Sequence, residues 1–234
     1  MKEQINAIRQ LGFPWILVIL IIFEKVVSNL SHSTFTAGPM MTSVFGKTGE
    51  ETVLVMALAQ CLVGIIALLL SLSFIFCKLG ARISTRTLFA FSSIIIVVGY
   101  LITYPWSFIA SSMPAYNETA RIGCNPEEYT WCHTERVTPF FVFVGVMMIV
   151  LGFAIPSSNL SLDTIYSKIL GDINQSVMQA ILVVAEDIVL VIGPIYAAEV
   201  FTSYGMSMLC IINGSIFTVS TIVWFILWKK LKKY

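Results

Sequence analysis

Two pairs of adjacent charged residues stand inside long apolar runs, Glu24-Lys25 and Glu186-Asp187. A charged side chain at the centre of a membrane helix costs about 2.5–3.5 kcal/mol on insertion scales. Such groups must face water, pair with one another or give up their charge. Adjacent residues on a helix point about 100° apart, so Glu24 and Lys25 cannot share a direction. One is expected to face a cavity and the other to meet a partner helix, with Glu186 or Asp187 as the partner for Lys25. Asn29 and His32 continue the stripe begun by Lys25, since positions 25, 29 and 32 share a helical face. A histidine there is suited either to carrying protons near neutral pH or to a hydrogen bond inside a bundle. The charges admit two uses: a structural salt bridge, or a proton- or ion-coupled role for Glu24 or Glu186. Asp163, Lys168 and Glu199 lie near the ends of their apolar runs and are expected to act as interface anchors.

The elements that position these groups follow from composition. Of the 234 residues, 57% are hydrophobic and 12% charged, with a mean hydropathy of +0.88. Ordinary soluble domains carry about 25% charged residues, so this chain has too few polar side chains to cover a water-facing surface. Disorder is excluded for the same reason. A net charge of +1 supplies no basic field for nucleic acid. Six apolar stretches read as membrane helices, over about 11–33, 53–77, 88–109, 137–160, 177–201 and 206–228. Each is close to or above the roughly 20 residues that cross a bilayer. The runs are continuous rather than alternating, which argues for helices and against a barrel. The expectation is an all-α membrane protein whose single domain, residues 1–234, is a six-helix bundle.

With the N-terminus in the cytosol, ten Lys and Arg residues fall on the cytosolic side (positions 2, 9, 78, 82, 86, 168, 229, 230, 232 and 233) and three on the other (47, 121 and 136). The positive-inside rule then places both termini in the cytosol. The outer loop, 110–136, carries the sequon Asn117-Glu118-Thr119 and two thiols, Cys124 and Cys132, eight residues apart. Glycosylation at Asn117 and a Cys124–Cys132 disulfide are the expected consequences on an oxidising side. Further sequons at Asn29, Asn159 and Asn213 fall within expected spans. Cys61, Cys77 and Cys210 read as small hydrophobes. Gly38-Pro39, Pro156 and Gly193-Pro194 mark kinks, serving either as hinges or as packing bends. No metal-spaced cluster, phosphate loop or nucleophile elbow occurs, so neither enzyme nor cofactor is expected.

The segment Cys77-Lys78-Leu79-Gly80-Ala81-Arg82-Ile83-Ser84-Thr85-Arg86 resembles the short cytosolic signature of the major facilitator superfamily, G-x-L-x-D-R-x-G-x-R. Leu79, Arg82 and Arg86 match it, whereas Ala81 replaces the acid and Cys77 and Ser84 replace glycines. Further likeness to a lysosomal branch of that family lies in Phe23-Glu24, Gly123-Cys124, Trp131-Cys132, the run Thr164-Ile165-Tyr166-Ser167-Lys168-Ile169-Leu170-Gly171, Gln175 and Ile192-Gly193-Pro194. The resemblance implies that the six spans correspond to helices seven to twelve of a twelve-helix carrier in a lysosomal or endosomal membrane. It implies that the first and fourth spans line a central cavity, which favours Glu24 as the cavity-facing group, and that Arg82 braces the cytosolic loop. It further implies alternating access for a small solute or ion, proton movement among the options, with a second half supplied by a missing N-terminal portion or by another copy. A fragment, a dimer of halves and a regulatory truncated form are the accounts of a half-length carrier, the fragment being the expected one. An anion-channel-like pathway and a non-transporting six-helix scaffold are the alternatives.

Overall fold

The computed structural model describes residues 14–35, 39–77, 82–119, 122–171 and 175–231. It is 78% helical. Helix α1 is Trp15–Phe35, α2 Pro39–Ser43, α3 Gly49–Phe76, α4 Thr85–Thr103, α5 Phe140–Ile149, α6 Ile155–Leu170 and α7 Gln175–Leu231. Strands β1 (Ser111–Ser112) and β2 (Arg136–Val137) close the outer loop as an antiparallel pair, Ser111 opposite Val137 and Ser112 opposite Arg136. Among the described residues, five helical stretches are long and apolar enough to cross a membrane, which makes this an all-α, multi-pass membrane architecture. Leu79, Gly80 and Ala81 of the loop signature, and Gly38 of the first expected break, lie outside the described residues.

The helix ends follow from local chemistry. At the start of α3, Thr48 and Glu51 form a reciprocal capping box: the Glu51 amide donates to Thr48 Oγ1 and the Thr48 amide to Glu51 Oε2, each at 3.2 Å. The third span, expected to reach residue 109, ends at Thr103. Tyr104 is extended, with ψ 133, because Pro105 disfavours a helical residue before it. The fourth span runs beyond its expected end at 160, to Leu170. Five π-helical residues, Val150–Ala154, join α5 to α6 immediately before Pro156, and the Ile155 amide donates to the Val150 carbonyl. Pro156 has no amide hydrogen and its ring crowds the carbonyl one turn earlier; the wider π turn absorbs both. Helix α3 packs against this stretch, and a Cβ on Gly152 would lie 3.2 Å from Ile66.

Helix α7 spans 57 residues but is broken at Gly205, where φ is 81 and ψ −175. Its two arms, 175–204 and 206–231, fold back on each other. Tyr196 Oη donates to Asn213 Oδ1 at 3.2 Å, although 17 residues of straight helix would separate them by about 25 Å. The outer loop clamps this break from both sides. Trp131 Nε1 donates to the Thr202 carbonyl at 3.0 Å at the end of the first arm. Glu135 Oε2 accepts from the Ser207 amide at 3.3 Å at the start of the second. A Cβ at Gly205 would sit 3.1 Å from the Trp131 ring, so both the left-handed φ and the close approach require glycine there. The loop is itself tied by the Cys124–Cys132 disulfide, with Cα atoms 5.6 Å apart, and its Tyr129 and Trp131 rings pack on Phe201.

Candidate functional site

Helices α1, α4, α6 and the second arm of α7 make the body of the bundle. Its apolar core comes in two clusters. One contains Ile21, Phe89, Leu162 and Trp224; the other contains Val27, Ile96, Ile155 and Phe217. On each of the four helices the sequence between those two residues holds buried polar side chains. These are Glu24 and Lys25 on α1; Ser92 and Ser93 on α4; Ser157, Ser158 and Ser161 on α6; and Ser220 and Thr221 on the second arm of α7. The apolar core is therefore divided by a polar layer that crosses the bundle. Its register is fixed by contacts on both sides. The Phe89 and Trp224 rings pack at a 45° tilt with centroids 4.1 Å apart below it, and a Cβ on Gly214 would meet Tyr100 at 3.3 Å above it.

Lys25 is 3% exposed and bridges two helices. Its Nζ donates to Asp163 Oδ1 on α6 at 2.8 Å and to the Asn159 carbonyl at 3.4 Å. It also lies 2.7 Å from Glu186 Oε1 on the first arm of α7, an ion pair that lacks the angle of a hydrogen bond. The two carboxylates keep contact with the surroundings, Asp163 at 48% and Glu186 at 23% side-chain exposure. Asp163, expected as an interface anchor, is thus a member of the central cluster. Its place just beyond the expected end of the fourth span at 160 suggested the interface, and the extension of that helix to Leu170 sets it within α6, opposite Lys25. Asp187, the other expected partner, is exposed and is not among the ion-pair partners of Lys25, because adjacent residues diverge by about 100°.

Glu24, expected to face a cavity, is 1% exposed. Its Oε2 accepts a hydrogen bond from Ser220 Oγ, and its Oε1 has no partner among the described residues. Asn29, on the same stripe, donates from Nδ2 to the Lys25 carbonyl at 3.1 Å, which is a bond inside its own helix, and His32 is half-buried. The hydroxyl layer was missed by sequence reasoning. Its signal was present as serines at 92, 93, 157, 158, 161 and 220, each inside an otherwise apolar run. No group of three or more His, Cys, Asp or Glu that would hold a metal ion occurs among the described residues.

Comparison of the chain with protein-family models, with curated proteins and with solved structures finds no match. The residues that carried the family resemblance are placed as follows. Arg82 is exposed, and the packing at that end is made instead by Arg86, whose guanidinium lies 5.8 Å from the Trp228 ring centre. Tyr166 is fully buried and donates from its hydroxyl to the Met178 carbonyl at 2.9 Å, pinning the end of α6 to the start of α7. The Ser167 carbonyl accepts from the Gly171 amide at 3.3 Å; Gly171 ends the helix with φ 56. Lys168 is exposed. Gly193 is buried and Pro194 exposed within the first arm of α7, which continues through both. Asn117 is exposed, whereas Asn29 and Asn213 are buried.

Proposed function

We propose that the chain is one half of a secondary carrier of the major facilitator type, moving a small solute or ion across an organellar membrane by alternating access together with a second half. Counting the two arms of α7 separately gives six spans. A single 57-residue helix would be about 86 Å long, nearly three times the roughly 30 Å hydrocarbon thickness, while each arm alone is of spanning length. The six would correspond to helices seven to twelve, with both termini and the Arg86–Trp228 end in the cytosol. The clamped outer loop, with Asn117 glycosylated, would face the lumen of a lysosome or endosome.

The observation that carries this reading is the set of half-exposed carboxylates far from the helix ends. Glu186 and Asp187 lie 11 and 12 residues into α7 and Asp163 seven from the end of α6. An ionised carboxylate facing hydrocarbon at that depth is costly. The neighbouring exposed residues, Val183, Val184, Ile188 and Val191, are wholly apolar. A face that mixes such acids with aliphatics suits a membrane protein in which water, solute or a second half covers it, and midplane sites between two rocking halves are where carriers bind. The largely exposed α3 would lie against the same second half. A dry scaffold would have no use for carboxylates left open on that face.

Accessibility tests the reading. With Cys61, Cys77 and Cys210 replaced by serine, single cysteines at positions 163, 186 and 187 are to be challenged in reconstituted vesicles with a membrane-impermeant thiol reagent. Alternating access predicts labelling of all three from the aqueous phase. Positions that stay unreactive from both faces would reduce the protein to a scaffold.

A further inference from the structure

The polar layer contains a carboxylate for which the bundle supplies no counter-charge. Lys25, the basic side chain nearest to it in sequence, is turned to Asp163 and Glu186, and no salt bridge reaches Glu24 among the described residues. Glu24 is more than nine-tenths buried, with one oxygen bonded to Ser220 and the other unpartnered. Ser28, one turn further along α1, is fully buried and its hydroxyl is likewise unpartnered, as are those of Ser157 and Ser158 on α6. A buried anion without a partner is strongly disfavoured, and each unpaired buried hydroxyl adds its own desolvation cost of about 1–3 kcal/mol. Protonating Glu24 removes the charge but leaves three hydroxyl oxygens unsatisfied. A bound cation balances the carboxylate and engages the Ser28 oxygen as well.

We propose that Glu24, with the hydroxyls of Ser28 and Ser220, binds a small monovalent cation of the sodium class inside this layer. The donor chemistry sets the class. All the available atoms are hard oxygens, which excludes metals that prefer nitrogen or sulfur. The single carboxylate balances one positive charge, whereas calcium and magnesium sites draw on several carboxylates or phosphates. The buried α6 hydroxyls of Ser157 and Ser158 belong to the same polar layer. The inference deepens the carrier reading by naming a coupling ion, but it stands on binding alone. A chain that binds sodium without moving solute would refute the carrier and leave the site intact.

The test is thermal unfolding of the full chain in lipid nanodiscs, with sodium chloride titrated against potassium or choline chloride at constant ionic strength. Emission from Trp224, which is fully buried one turn from Ser220, serves as a second readout once Trp15, Trp106, Trp131 and Trp228 are replaced by phenylalanine. Sodium is expected to raise the midpoint by about 2–4 °C at saturation, with potassium and choline ineffective. Glu24→Gln should lose the response. Ser28→Ala should require about tenfold more sodium, equivalent to one lost ligand, and Ser220→Ala should do the same with the charge retained, so the prediction survives if Glu24→Gln does not fold. Absence of a sodium-specific shift in the parent overturns the proposal. So does a response that persists in Glu24→Gln, or one that acidification in choline reproduces in full with nothing further gained from sodium.

Discussion

Replacing Lys25 by methionine removes the cation shared by α6 and the first arm of α7 while keeping the bulk and length of the side chain. The bare attraction between Lys25 and either carboxylate, at 2.8 Å to Asp163 and 2.7 Å to Glu186, is about 6 kcal/mol at an effective dielectric of 20. Most of it is offset by desolvating Lys25. Breaking a fully buried pair costs about 3–5 kcal/mol through the charge left behind. Here the acids left behind retain solvent contact, so the expected loss is smaller, about 2–3 kcal/mol. The two acids are not equal. Glu186 is the more buried, and its coupling to Lys25 should be about 1–2 kcal/mol; Asp163 is half-exposed, and screening should hold its coupling below about 1 kcal/mol despite the better hydrogen-bond angle. A double-mutant cycle with Glu186→Gln and Asp163→Asn, read by equilibrium unfolding in mixed micelles, measures both. Lys25→Met combined with Glu186→Gln should recover part of the loss. Coupling to Asp163 that equals or exceeds coupling to Glu186, or Lys25→Met that leaves stability unchanged, would refute the argument that burial ranks these pairs.

Gly205→Ala should destabilise by about 1–3 kcal/mol, since it places a Cβ in a left-handed conformation and 3.1 Å from Trp131. Gly145→Ala, in a helix with open space at the same position, should stabilise by up to about 1 kcal/mol; thermal midpoints of the two variants decide this. Cys124→Ser with Cys132→Ser releases a loop of eight residues and should cost about 2–3 kcal/mol, detectable as faster proteolytic nicking of the outer loop while the helical content is retained. Asn117→Gln should abolish the mobility shift on deglycosylation, whereas Asn29→Gln and Asn213→Gln, at buried positions, should leave it unchanged.

The helical spans were legible because lipid forces backbone groups to pair within their own segment, so hydropathy alone marks them. Their ends were less so. The third helix stops at Thr103 rather than 109 through Pro105, a local rule that a hydropathy window does not see. The fourth runs on to Leu170 because Leu162, Ile165, Tyr166 and Ile169 are buried against neighbouring helices although Asp163 and Lys168 interrupt the apolar run, and that depends on tertiary contacts. The same dependence hid the membership of Asp163 in the Lys25 cluster. Conversely, the pairing of Cys124 with Cys132 follows from two thiols in one short loop, where few alternatives exist. Arg82 and Arg86 were indistinguishable as loop cations; only the position of Trp228, 142 residues beyond Arg86, selects Arg86 for stacking.

The arrangement of charge also bears on which sign of solute the bundle could carry. Lys25 is enclosed by Asp163, Glu186 and the Asn159 carbonyl, so its ammonium is not offered to an incoming anion. The groups that do reach the open face are Asp163, Glu186 and Asp187, three acids against one engaged base. An anion approaching this face would meet net negative charge in a medium of low dielectric, where repulsion is strong, and no second base stands at that depth among the described residues. Under the proposed carrier reading, an anion pathway would require cationic side chains from a second half, whereas a cation or a positively charged solute would find its complement among the acids of this chain. The layer around Glu24 has the same sign. Both polar features of the bundle, the buried carboxylate among hydroxyls and the partly exposed acids around Lys25, favour positive charge.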